Sequence, residues 1–401
     1  MAQNAPCALA AMGMVNALGG GAEEMWPRLL SGDQSGLLRR DDMVPGRSLL
    51  VGAVQDPLPK IPSRLRRYAC RNNALALAAF RQIEAAVSGV MAGVGRRRVG
   101  VVMGSSTSGI AAAEDAIAER LRGGALPPAF DYAQMEFGGL AEFVALYTGI
   151  KGPAYTLSTA CSSGARALEA ARSLLALDIC DAVVAGGADS LCRLTAGGFC
   201  ALHAVSDAPS KPFSLNRDGL TLGEGAAVFL LTKNTGGIQL LGAGSSSDGY
   251  HMSAPEPDGR GAEAAMRAAL SDAALPADAV AYVSLHGTGT PLNDATEAKA
   301  VARTFGRGVA CSSTKPMVGH TLGASGAIGA ALCWLMLARR QNDELRPPPH
   351  CWDRVPDPDL PPLRLVTAGD RLAVAGPAVL LSNSFGFGGS NCALVIGDGP
   401  C

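Results

Sequence analysis

The sequence predicts an α/β fold, and three observations carry that reading. Short apolar runs alternate with Ala-rich helical patterns along the chain. Fifty glycines sit beside those runs rather than in linkers, which points to tight turns and close backbone approach. A hydrophobic share of 48% with only 17% charged residues over 401 positions provides for a large buried core and excludes disordered, collagenous and coiled-coil classes. The 34 Lys and Arg against 35 Asp and Glu leave a net charge of -1, so no global field is available to hold nucleic acid or an anionic membrane.

The apolar start MAQNAPCALAAMGMVNALGG reads as a strand and turn; its first basic residue is Arg28, so it lacks the positive flank of a secretory signal. VGVVMG (99–104), DAVVAGGA (181–188), AAVFLLT (226–232), AYVSLHG (281–287), AVLLSNS (378–384) and NCALVIG (391–397) read as buried strands. ALEAARSLLAL (167–177) and GAEAAMRAALSDA (261–273) repeat apolar residues at helical spacing. The uncharged run from Pro316 to Ala338 approaches membrane-span length, but Gly319, Gly323, Gly326 and Gly329 favour a tightly packed buried segment. Eleven cysteines without a CxxC pair signal neither a zinc site nor a disulfide framework, and fit a reducing, cytoplasmic setting.

The halves echo each other. Ala160-Cys161-Ser162-Ser163-Gly164 before one Ala/Leu helix matches Gly319-His320-Thr321-Leu322-Gly323 before another, and each half closes with a Gly turn entering an apolar strand. The expected division is a duplicated unit over residues 1–236 and 237–401.

Cys161, in STACSSGARALEAARSLL, lies at a sharp turn before a helix whose positive end is expected to lower the thiol pKa. Of only five histidines, His286 ends an apolar strand in SLHGTGTPLND and His320 precedes a helix in STKPMVGHTLGASG. Strand ends are where α/β folds collect function, although a hydrogen-bonded structural histidine is the plainer reading. Lys315 stands five residues before His320, and Glu297, eleven after His286, is its candidate carboxylate partner; a surface lysine and a solvated glutamate are the alternative. NSFGFGGSN (383–391) sets Phe385 and Phe387 among glycines and reads as a mobile loop gating an apolar pocket. No GxxxxGK loop is present, and the spacing of Cys161, His286 and His320 does not suggest a structural metal site.

TACSSG, HGTGTPLND, STKPMVGH and NSFGFGGSN, in this order, make the chain resemble the β-ketoacyl-[acyl-carrier-protein] synthases over essentially its whole length. The resemblance implies a thiolase-like, five-layered αβαβα fold, and a condensing enzyme that loads an acyl chain on Cys161 and extends it with malonyl from an acyl carrier protein. It further implies that His286 and His320 act on the decarboxylating malonyl thioester, ordered by Lys315 and Glu297, and that the Cys161 and Phe387 amides form an oxyanion hole. Thr288 and Thr290 would bind pantetheine, and no cofactor or metal is implied. LNRDGLTLGEGAA (215–227) and SSSDGYHMSAPEPDG (245–259) also look like family segments, whereas Ser214 departs from the aspartate common after Pro-Phe. Because the carrier is acidic, Arg64, Arg66, Arg67 and Arg71 form a candidate docking cluster. The near-N-terminal AMGMVNALG and the stretch FCALHAVSDAPSKPFSLNRDG (199–219) look more like synthases of aryl polyene pigment clusters than housekeeping fatty acid enzymes. A homodimer, or a heterodimer with a chain-length-factor-like homologue, follows from the same likeness. Against a degradative thiolase stands Cys392, which lies in a strand pattern and does not resemble that family's second reactive cysteine. Against a non-catalytic subunit stands Cys161 itself.

Overall fold

The computed structural model describes residues 5–399 except Thr235, so the first four residues of the apolar start lie outside the described residues. The first half contributes strands β1 (Cys7–Val15), β2 (Val99–Gly104), β3 (Ala154–Leu157), β4 (Ala182–Asp189) and β5 (Gly225–Thr232). The second contributes β6 (Ile238–Ser247), β7 (Val280–Ser284), β8 (Ala310–Ser312), β9 (Val379–Gly386) and β10 (Ser390–Asp398). In space the first set runs β1-β5-β4-β2-β3 and the second β6-β10-β9-β7-β8, the same permutation. The directions repeat as well. β1/β5 and β5/β4 are antiparallel and β4/β2 and β2/β3 parallel, as are their counterparts β6/β10, β10/β9, β9/β7 and β7/β8. Among the described residues the two sets join into one continuous sheet at Cys7 and Ala8, which pair with Leu240 and Gln239.

Helices Ser163–Ala176 and Ser325–Ala338 pack against each other between the two sheets. Helices Arg71–Arg81 and Gly139–Thr148 cover the outside of the first sheet, and Arg260–Asp272 and Pro291–Phe305 that of the second. This is the five-layered αβαβα arrangement. It explains why the strands read as continuous apolar runs, since both faces are covered. Ala227, Phe229 and Leu231 of β5 face the central helices, while Ala226, Val228 and Leu230 face the outer ones.

The glycines of the uncharged run have a packing reason. A Cβ on Gly326 would stand 2.7 Å from the amide nitrogen of Ala165, and one on Gly164 would stand 2.8 Å from that of Ala327. The two central helices therefore cross through reciprocal glycines, which lets their backbones touch. Among the described residues no single helix is long and apolar enough to cross a membrane, and one pair, Arg71–Arg81 and Glu84–Val94, bent by 74°, passes by length and composition.

Two sequence readings need correction. The internal echo is real in topology but shifted: Ala160 (φ 52°) and Leu322 (φ 51°) are the matching left-handed residues before the two helices, so the counterpart of Cys161 is Gly323, not His320. NSFGFGGSN is mostly strand. β9 continues through Phe385 to Gly386, and only Phe387–Gly389 turns, with Gly388 and Gly389 at φ 81° and 75°.

Candidate active site

Small hydroxyl side chains build the turn at Cys161. The Ser163 hydroxyl donates to the Ala160 carbonyl at 2.6 Å and accepts from the Thr159 amide at 2.9 Å, and the Ser162 hydroxyl donates to the Thr159 carbonyl at 2.8 Å. The sulfur is left buried at the mouth of helix Ser163–Ala176, with the amides of Phe387 and of Cys161 itself directed at it. The expected low thiol pKa is not found. Burial pushes the thiol up to about 11, and Lys315 and the two amides only partly offset that. A helix terminus contributes at most about 2 kcal/mol, too little to overcome desolvation of a fully enclosed sulfur.

His320 Nε2 lies 3.2 Å from the Cys161 sulfur, and the rings of His286 and His320 meet edge to face at 5.2 Å. Burial holds both imidazoles well below their usual pKa, and the Lys315 charge lowers them further, so both are neutral at ordinary pH. Neither Nδ1 has a protein partner. Burial raises the thiol and lowers the imidazole, so full transfer of the thiol proton to His320 is uphill, and His320 stands beside the sulfur as a hydrogen-bond partner rather than as its base. The donor atoms of Cys161, His286 and His320 lie within 4.8 Å of one another, a set zinc also accepts.

Lys315 and Glu297 are both buried, but they do not form the expected direct ion pair. The Lys315 ammonium donates to the carbonyl of His286. Glu297 accepts from the amides of His286 (2.8 Å) and Gly287 (2.6 Å) and from Asn383 Nδ2 (3.0 Å). Burial lowers the lysine's pKa and raises the glutamate's, each opposed by the other's charge or by the amides it accepts from. The His286 peptide is thus gripped from both ends, its carbonyl by Lys315 and its amide by Glu297. Asp294, which the sequence reading passed over, does the same for the next residues, accepting from the amides of Thr288 (3.0 Å), Gly289 and Phe213 (2.9 Å). The acidic residues of PLNDATEAKA, on one helix facing the loop, were the available signal.

Thr288 and Thr290 line the cavity over Cys161 with their hydroxyls 2.9 Å apart. Phe385 is buried with its ring 5.9 Å from His286, whereas Phe387 is 39% exposed and rests 5.4 Å from Phe199. The cavity is small, about 40 Å³, and Phe199 and Phe387 both line it. Phe199, Asp248 and Asn391 went unnoticed as site residues in the sequence. Asn391 donates to Asp248 at 2.6 Å and the Asp248 amide donates to Gly389 at 2.9 Å, which ties the Phe387 turn to the segment after β6.

The arginine cluster is dispersed in its commitments. Arg71 is bound to buried Glu224, with its Nε 2.8 Å from the carboxylate, and Arg64 donates to the carbonyls of Leu146 and Tyr147. Arg67 lies 3.7 Å from Asp131, and Arg66 is exposed. Cys392 lies buried within β10 with its thiol pushed up to about 12, and it is not among the residues lining the cavity over Cys161. Ser214 donates to Asp353 at 2.7 Å, so a carboxylate is present there from another part of the chain.

Two family models match the chain, the β-ketoacyl synthase N-terminal domain over residues 4–235 and the C-terminal domain over residues 238–345. The 3-oxoacyl-[acyl-carrier-protein] synthase 2 of Vibrio harveyi is 33% identical over 424 aligned positions, covering 96% of each chain. Among solved structures, the ketosynthase ApeO of Xenorhabdus doucetiae, in complex with its chain length factor ApeC, shares 40% identity over 99% of each chain at a TM-score of 0.93. A β-ketoacyl synthase from Burkholderia phymatum shares 31% identity over 99% of this chain and 100% of its own at a TM-score of 0.86. With a buried cysteine at a helix entrance, two neutral histidines beside it and these likenesses along its whole length, the chain belongs to the β-ketoacyl synthase family, the acyl-transferring condensing enzymes.

Proposed function

We propose that the protein extends an acyl chain held on Cys161 by decarboxylative condensation with malonyl-acyl carrier protein, in an aryl polyene or related polyketide pathway, as the active partner of a chain-length-factor-like homologue. The observation that carries the pathway is the 40% identity with a ketosynthase solved together with its chain length factor. The 33% identity with a fatty acid type synthase keeps housekeeping elongation as the second reading.

In the first half-reaction the Cys161 sulfur attacks the acyl thioester carbon, and the carbon–sulfur bond to pantetheine breaks. The thiol proton leaves with the departing pantetheine sulfur, while His320 donates to the sulfur at 3.2 Å as its charge develops. The carbonyl oxygen carries the negative charge of the tetrahedral intermediate between the Cys161 and Phe387 amides. In the second, malonyl thioester loses CO2, and its oxygen takes the resulting charge under hydrogen bonds from His286 and His320. Neutral imidazoles suit that step because they donate without surrendering a proton. The enolate carbon then bonds to the acyl carbon, and Cys161 leaves as thiolate and regains a proton from solvent. Lys315, Glu297 and Asp294 fix the His286 loop, and Thr288 and Thr290 meet the pantetheine arm at the cavity mouth.

Incubating the protein, alone and with a chain-length-factor homologue, with saturated and aryl-polyenoyl carrier proteins and reading intact mass tests this. Acylation by polyenoyl donors alone is expected, and acylation by saturated chains alone favours the housekeeping reading. Activity is expected to survive chelators; loss restored by zinc would overturn a metal-free triad. Arg66, the exposed arginine with the fewest commitments, is where carrier docking is best tested. Its reversal to Glu is expected to raise KM for carrier substrate by severalfold at low salt.

A further inference from the structure

The repeat of the fold gives each group around Cys161 a counterpart around Gly323. Cys161 and Gly323 each follow a left-handed residue, Ala160 and Leu322, and each stands just before a central helix. At Cys161 the amide is directed at the sulfur, in a residue that lines the cavity. At Gly323 the amide is already filled: it donates to Asp189 Oδ2 at 2.6 Å.

Asp189 is the last residue of β4 and is fully buried. Its carboxylate also accepts from the amides of Ser106 and Thr107, both at 3.0 Å. The hydroxyls of Ser105 (2.5 Å), Ser106 (2.6 Å) and Thr107 (2.9 Å) complete the shell. Backbone amides can only donate, and one faces each carboxylate oxygen, so the nest is built around an anion. Burial raises the carboxyl's pKa and these donors oppose it. No space is left for a side chain on Gly323, where a Cβ would stand 2.5 Å from the Ser106 amide nitrogen and 2.7 Å from Asp189 Oδ2. The turn so pinned, Leu322–Ala324, follows directly on His320 and Thr321, and the His320 amide donates in turn to Thr221 at 2.6 Å.

We propose that Asp189 is a positioning residue for the condensation: at Gly323 its carboxylate takes the place that a substrate oxyanion takes at Cys161, and so fixes the His320 turn against the sulfur. The proposal rests on Cys161 being the acylated nucleophile. Wild-type acylation in the same assay separates failure of that assignment from failure of this one.

The test compares two reactions of the same sulfur in Asp189→Asn. Acylation by an acyl carrier thioester needs the oxyanion hole and a correctly placed His320, whereas alkylation by iodoacetamide needs an accessible thiolate but no oxyanion hole. Acylation, normalised to titratable Cys161, is expected to fall at least about tenfold, with half-saturation by carrier within about twofold and alkylation within about threefold of wild type. A general loosening of the fold would move both reactions together. Acylation within about twofold of wild type, or an equal change in both reactions, overturns the proposal. Should Asp189→Asn fail to fold by circular dichroism, Thr107→Val decides, since it removes one hydroxyl bond and keeps the charge. It is expected to slow acylation about two- to threefold with alkylation unchanged, and a wild-type acylation rate overturns the proposal.

Discussion

At the entrance to helix Ser163–Ala176 the residue after a left-handed alanine is a cysteine that lines a cavity; at the entrance to Ser325–Ala338 the residue after a left-handed leucine is a glycine whose amide is closed by a carboxylate. The backbones match and the occupants differ. One copy of the turn is thereby free to meet substrate, and the other is sealed from within by a side chain of the first half. The histidines are unevenly placed: among the described residues the first half has only exposed His203, while the second has exposed His251 and buried His286, His320 and His350. The duplicated fold thus uses the same turn twice, once for Cys161 and once for a glycine closed by Asp189, while the histidines beside Cys161 come from the second half.

The contrast breaks most sharply at the sulfur. Cys161→Ala is expected to abolish acylation by every carrier donor, a loss of at least about a thousandfold seen by intact mass, whereas the other buried cysteines leave it intact. Next in size is the response of that sulfur to pH. With the thiol pushed up to about 11, iodoacetamide alkylation of the free enzyme is expected to rise about tenfold per pH unit from 7 to 10. A plateau by pH 8 would mean that the helix end outweighs burial after all.

Acid should then act chiefly on the second half. His286 and His320 are held well below their usual pKa and His350 is lowered to about 4, all by burial. The native state keeps them neutral while the unfolded chain protonates below about pH 6.5, so stability is full above that pH and falls as pH drops toward 4. Each contributes about 1.4 kcal/mol per pH unit, and the urea midpoint measures the sum. The smallest effect tests the symmetry itself. Gly164→Ala and Gly326→Ala should each cost about 1–3 kcal/mol by overpacking, and by similar amounts, because each new methyl meets the partner helix at nearly the same distance. Unequal melting shifts would show that one helix yields where the other does not.

Much of this was legible in the chain. Strands buried on both faces announce themselves as continuous apolar runs, and β2, β4, β5, β9 and β10 lie where those runs stand. β3 and β8 escaped notice because four- and three-residue strands leave too short a pattern, and β6 because its later residues are Gly and Ser. Cys161, His286, His320 and the Thr288–Thr290 loop, grouped in the sequence by motif order rather than by any local property, line one cavity in the structure. Asp189, Asp294 and Asn383 were not so grouped, since a buried carboxylate or amide looks in sequence like any solvated one until its amide donors are in place.

By itself the sequence determined the layered class, the apolar strands and the small residues of the two turns, because these depend on residue type and local spacing. Only the tertiary structure decided that Gly323 rather than His320 is the partner of Cys161, that Lys315 and Glu297 grip one peptide from opposite ends instead of pairing, and that the thiol is protonated at rest. Those outcomes depend on which groups are shut away from water together, and desolvation and hydrogen bonding act between residues that the chain holds far apart.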